Sequence, residues 1–129
     1  MNWKNLFRLR GLNGWLVAVC FGWSAIWAVA SLAVTSLVLR ADAGAAAITQ
    51  IALMLSAFVG PLLCGWVTGR VAADGRGPTY GLISGLVSAT LFGLALTPIG
   101  GILGILMAAV SLAGGLNGGL LSLSRPPRQ

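Results

Sequence analysis

Four long apolar stretches, separated by short clusters of charge, glycine and proline, organise the chain from end to end. They cover residues 14–39, 45–68, 80–96 and 99–123. At 1.5 Å per residue the first makes about 39 Å of helix, enough to cross a hydrocarbon core of roughly 30 Å with tilt. The breaks between them read as turns. Arg40 to Gly44 is a short polar turn, residues 69–79 (GRVAADGRGPT) form a loop, and Thr97-Pro98 reverses the chain. Pro61 falls inside the second stretch, where its missing N–H predicts a kink. Residues 1–13 place Trp3, Leu6 and Phe7 on one helical face with Lys4 and Arg8 towards the headgroups, the pattern of an interfacial segment. Ala28-Val29-Ala30 looks like a signal-peptide cleavage motif. The apolar run, however, continues to Leu39, too long for a signal core. The predicted fold is all-α: a four-helix transmembrane bundle in one integral membrane domain over residues 1–129.

The charges orient this bundle. Lys4, Arg8, Arg10, Arg70, Arg76, Arg125 and Arg128 fall on one side of it and only Arg40 on the other. The positive-inside rule puts the first group, and with it both termini, in the cytoplasm. Trp3, Trp15, Trp66 and Tyr80 gather at that face, as an aromatic belt would.

Composition agrees with lipid as the solvent. Hydrophobic residues make up 57% and charged residues 8% of the chain, against roughly 45–50% and about 25% in soluble domains. The net charge of +6 is scattered at span ends rather than drawn into a stripe, which fits anionic headgroups and excludes a nucleic-acid surface. Membrane lipids are the expected partners. Cys20 and Cys64 lie inside apolar runs and read as buried, reduced packing residues.

Nineteen glycines in helical spans are the most informative feature. Glycine weakens a helix in water but lets helix backbones approach closely in lipid. Gly77, Gly81, Gly85, Ala89 and Gly93 recur every fourth residue along the third span. Gly100, Gly104, Ala108, Ser111, Gly115, Gly118 and Ser122 follow a mean spacing near the helical 3.6 along the fourth. Gly60, Cys64, Gly65 and Gly69 add a small-residue face to the second. These glycine-zipper faces predict tight helix packing within a bundle or homo-oligomer; the alternative is a passage or groove for a lipid-like ligand.

Chemistry is conspicuous by its absence from the spans. The chain has no histidine, and Asp42 and Asp74 sit in predicted loops. No general acid–base pair, zinc site or usual haem ligand can be assembled from these residues, so neither an enzyme nor a cofactor is expected. Proton-coupled transporters mark their route with intramembrane ionisable groups, and the spans hold none. Asn117, within GGLNGG, is the strong polar group deep in the fourth span, expected to hydrogen-bond a neighbouring helix. Trp23 and Trp27, one turn apart near mid-membrane, read as bulk facing lipid or a partner.

Residues 58–93 (FVGPLLCGWVTGRVAADGRGPTYGLISGLVSATLFG) combine a glycine-spaced helix ending Gly-Arg, a short basic loop, and Gly-x-x-x-Gly opening the next helix. This region resembles the YrzE-like group of small four-helix bacterial membrane proteins, and differs from it at Pro61 and in the Trp-rich first span. The resemblance implies a bundle in the bacterial cytoplasmic membrane and no particular activity. Together these features point to a non-catalytic accessory, scaffolding or assembly subunit, packing against itself or other transmembrane subunits. The rival expectation is an oligomeric channel or a protein that binds lipid or another hydrophobic ligand.

Overall fold

A computed structural model describes residues 11–72, 74–96, 98 and 101–124. Most of the expected interfacial segment, and Gly100, Arg125 and Arg128, lie outside the described residues. The protein is all-helical, with no strand among the described residues, and its four helices are long and apolar enough to cross a membrane. They are α1 (Gly14–Ala41), α2 (Ala46–Ala72), α3 (Gly77–Leu96) and α4 (Gly101–Leu123).

Local chemistry sets the ends. The Asn13 side chain caps α1 by accepting from the Trp15 N–H at 3.1 Å. Arg40 belongs to the last turn of α1 rather than to the following turn, where its charge complements the helix dipole. Asp42 then accepts from the Gly44 N–H at 2.9 Å, and a single 3-10 turn, Ala43–Ala45, leads into α2. The loop expected over residues 69–79 is much shorter than predicted. α2 continues through Gly69, Arg70, Val71 and Ala72, and α3 already begins at Gly77. Two residues make so tight a reversal feasible. Asp74 accepts from the Arg76 N–H at 3.0 Å, and Gly75 takes a left-handed φ of 74°. Pro78 sits in the first turn of α3, where no N–H is needed. Pro61 does not end α2; the helix is continuous through it.

The helices pack as two outer members about a central pair. α2 and α3 touch each other, and both α1 and α4 touch α2 and α3. Among the described residues α1 and α4 do not meet. The start of α1 meets the start of α3 through Asn13 and Tyr80. The ends of α2 and α4 meet near Gly69, Gly77 and Ser122. Arg70, Arg76 and Asp74 therefore share one end of the bundle, and Arg40 and Asp42 the other.

Two apolar clusters fill the interior. Ala28, Leu53, Ala57, Phe92, Leu96 and Met107 pack at the Arg40 end, and Leu16, Cys20, Cys64 and Tyr80 at the Arg70 end. Small residues, among them Gly60, Gly65, Ser24, Ser84, Ser88 and Ser111, are buried as well.

Candidate functional site

The glycine faces of α2, α3 and α4 converge on one another. α3 and α4 run antiparallel with a four-residue register: Gly77 faces Gly119, Gly81 faces Gly115, and Gly85 faces Ser111. A Cβ added to Gly81 would strike the Gly115 carbonyl, and one added to Gly115 would strike the Gly81 carbonyl. Because a Cβ takes the place of an α-hydrogen, each glycine aims a Cα–H at the opposing C=O. Gly77 and Gly119 repeat the arrangement. Such Cα–H···O contacts contribute perhaps 0.5–1 kcal/mol each, and they exist only where no side chain intervenes.

The fourth-span stripe meets two neighbours rather than one. Gly115 and Gly119 face α3, while Gly114 and Gly118 abut the Phe58 and Leu62 carbonyls of α2. The GGLNGG segment is thus thin on two adjacent sides. Gly65 of α2 completes the junction, with the Gly81 Cα 2.8 Å and the Gly119 nitrogen 3.0 Å from where its Cβ would be. Ala89 and Gly104 are buried, and Ala108 is half-buried. Gly93 departs from the third-span stripe: a Cβ there would meet nothing within 4 Å. The four-residue repeat advances 40° per step beyond a full turn, and by Gly93 it has rotated off the interface.

Trp23 and Trp27 are tied to α2 by their indole N–H groups while their rings stay partly outward, Trp23 being 43% exposed and Trp27 half-buried. The Trp23 indole N–H donates to the Gly60 carbonyl at 3.1 Å. That of Trp27 donates to the Ser56 carbonyl at 2.9 Å and hydroxyl at 3.1 Å. Their rings stack with centroids 5.9 Å apart and planes 14° from parallel. Gly60 forms the seat, since any Cβ there would run into the Trp27 ring. An indole N–H left unpaired in hydrocarbon costs several kcal/mol, which draws both donors towards the helix backbone. Ser31 extends this network to Ser56 at 2.6 Å.

Two further expectations are corrected. Asn117 does not reach a neighbouring helix; its amide donates to the Ala113 carbonyl of its own helix at 2.8 Å, and the residue is exposed. The glycines on both sides of it take the interface, leaving Asn117 on the outer face. Tyr80 is not part of an aromatic belt. It is fully buried, and its hydroxyl accepts from the Asn13 N–H at 3.1 Å. Trp15 is 75% exposed, and the Arg70 guanidinium lies 4.3 Å over the Trp66 ring.

Sequence reasoning missed a ladder of small polar groups beneath α1. The Ser24 and Ser84 hydroxyls are 2.8 Å apart, both buried, and the Ser24 hydroxyl is 3.3 Å from the Ser84 carbonyl. One signal was present: Leu16, Cys20, Ser24 and Ala28, the buried residues of α1, recur every fourth position. Beside the Trp27 network an open groove of about 460 Å³ runs between α1 and α2, lined by Val34, Val38, Ile48 and Ala52 among others. Among the described residues no three of His, Cys, Asp or Glu come together. No protein-family model, curated protein or solved structure matches the chain.

Proposed function

We propose that this protein is a non-catalytic accessory or scaffolding subunit of the bacterial cytoplasmic membrane, with both termini cytoplasmic, that presents α1 to another transmembrane protein. One observation carries the reading. The small-residue faces of α2, α3 and α4 are consumed against one another within a single chain, whereas α1 fully buries one row of side chains, adds the Trp23 and Trp27 bonds to α2, and leaves Ile26, Val29, Val34 and Leu37 exposed. Helices associate in lipid by close packing rather than by a hydrophobic drive. A helix held by so narrow a strip is the one with surface to share.

Site-specific photocrosslinking in native membranes tests this. A crosslinker at Ile26 of α1, which is 73% exposed, should capture a distinct transmembrane protein, while one at Leu120 of α4 should not. Lipid adducts alone at both positions would refute the reading. The orientation has its own test: after Cys20 and Cys64 are replaced, a cysteine at Asp42 should react with an impermeant reagent only from outside.

A second reading is favoured by the groove between α1 and α2. Its apolar walls and the Ser31, Thr35, Thr49 and Ser56 hydroxyls suit a lipid chain with a polar head or linkage. A lipid that co-purifies with wild type and is lost in Ala52→Phe would establish it. A channel needs a polar path, and both Gln50 and Asn117 are exposed, on different helices. Reproducible unitary currents abolished by Asn117→Leu would overturn both readings.

A further inference from the structure

Trp27, Ser31 and Ser56 line one end of the groove between α1 and α2, and Val38 and Ile48 line the other. The Trp27 N–H donates to the Ser56 carbonyl at 2.9 Å and hydroxyl at 3.1 Å. The Ser31 and Ser56 oxygens lie 2.6 Å apart, a contact that uses one hydroxyl proton. Two hydroxyls carry two protons. Whichever serine donates, the other keeps a proton with no acceptor among the described residues. The remaining hydroxyls of the groove are committed: Thr35 donates to the Ser31 carbonyl at 2.8 Å and Thr49 to the Ala45 carbonyl at 2.7 Å. The Ser31/Ser56 pair therefore offers the groove one spare hydrogen-bond donor.

Depth selects what can use that donor. Ser31 lies ten residues before the end of α1 at Ala41, and Ser56 ten residues after the start of α2 at Ala46. At 1.5 Å per residue both sit about 15 Å from the Arg40 end of the bundle, close to the middle of a hydrocarbon core roughly 30 Å thick. A donor without an acceptor is costly there. Phospholipid carbonyls stay with their charged headgroup at the interface, and a charged group at this depth is disfavoured. A plain hydrocarbon has nothing to accept the proton. The occupant must be uncharged, must carry an acceptor, and must have an apolar body for the Val34, Val38, Ile48 and Ala52 walls. A ring carbonyl on an isoprenoid tail meets all three conditions, and the Trp27 indole beside the serines offers aromatic surface to the ring. We propose that the groove binds a lipid-soluble quinone, one carbonyl of which accepts the spare hydroxyl proton of the Ser31/Ser56 pair.

The groove volume of about 460 Å³ falls within the roughly 300–1,000 Å³ of small-molecule pockets. Entry is lateral. Val34 and Ile48 of its walls are exposed on the lipid-facing surface, so a ligand dissolved in the bilayer reaches the serines without crossing the headgroups. The tail then follows Thr35 and Val38 towards the Arg40 end. Binding makes and breaks no covalent bond and transfers no electron. The oxidised ring is the form that fits. Its oxygens only accept, whereas a quinol brings two new donors to a site where the Ser31, Ser56 and Ala45 carbonyls already accept bonds. This inference rests on the lipid-binding reading of the groove and is independent of the scaffolding role.

The test uses the full chain in nanodiscs of synthetic phospholipid, titrated with a benzoquinone that bears a short isoprenoid tail and isotope-labelled carbonyls. Uptake above that of empty nanodiscs should saturate at one equivalent per chain, and infrared difference spectra should show one carbonyl band lowered in frequency. Ser31→Ala and Ser56→Ala each leave one hydroxyl proton and should keep the lowered band. The Ser31→Ala/Ser56→Ala double variant should lose it and bind roughly fivefold to tenfold more weakly. The quinol should bind more weakly than the quinone. Uptake that does not saturate, unshifted carbonyl bands on wild type, unchanged affinity in the double variant, or tighter binding of the quinol would each overturn the proposal. A phospholipid that co-purifies and is not displaced by the quinone would overturn it while leaving the groove a lipid site; if neither binds, both readings of the groove fall. The carbonyl band is read on wild type, so it decides even if a variant fails to fold.

Discussion

α1 and α4 lie on opposite sides of the same helix pair, and different chemistry holds each of them there. α4 meets α3 backbone to backbone: Gly115 and Gly119 abut Gly81 and Gly77 with no side chain between them. α1 is attached through side chains, with Trp23 and Trp27 reaching the α2 backbone and Ser24 reaching Ser84 of α3. Its own helical glycines contribute nothing to this, since a Cβ at Gly14 or Gly22 would meet no atom within 4 Å. The glycine interface gains from many weak contacts and tolerates no added atom. The tryptophan interface rests on a few directional bonds, each of which can be removed separately. The first joins α2, α3 and α4 backbone to backbone; the second leads to the expectation that α1 separates from them first.

The most severe way to break this contrast is to widen the glycine junction. Gly115→Leu should leave no folded bundle, and Gly115→Ala should already lower stability by about 3 kcal/mol, because the nearest obstacle is a carbonyl that no rotamer change can move. Steric-trap unfolding in bicelles measures this. Near-wild-type stability for Gly115→Ala would mean that α3 and α4 are not in backbone contact. Next in size is Trp27→Ala, expected to cost about 3 kcal/mol or somewhat less, since the ring is half-buried. Its signature sharpens the comparison: hydrogen exchange should accelerate in α1 while α3 and α4 stay protected. Uniform acceleration in all four helices would show that α1 is not separable.

Smaller effects test the polar ladder. Ser24→Ala should cost about 1 kcal/mol, and the Ser24→Ala/Ser84→Ala pair should cost less than the sum of the single variants, because neither then leaves a partner unpaired. Full additivity in a double-mutant cycle would remove the ladder from the account. At the bottom of the scale, Asn117→Leu and Gly22→Ala should each change stability by less than about 0.5 kcal/mol. A large loss in Asn117→Leu would place that side chain in an interface with something other than its own helix.

Much of the architecture was legible along the chain. Four apolar runs of spanning length specify four helices, because lipid allows no unsatisfied backbone. Residues such as Gly81 and Gly115 announced close packing through their spacing alone. The pairing of those faces was not legible. Periodicity places a residue on a side of its own helix but does not say which helix lies opposite, and GGLNGG turned out to serve two neighbours. The polar residues were the hardest to place, as Asn117 and the two tryptophans show. A donor in hydrocarbon must find an acceptor, and the choice between its own backbone, another helix and a partner depends on what lies within about 3 Å.

The sequence by itself determined that this is a membrane protein with four helices and no Asp, Glu, Lys, Arg or His deep within them, because hydropathy and charge act one residue at a time. Only the tertiary structure decided that α1 is bound by indole and hydroxyl contacts, that Tyr80 is buried, and that Cys20 and Cys64 share one buried cluster. Each of those facts depends on how helices distant in sequence are rotated and brought into register, and no local pattern along a single helix carries that information.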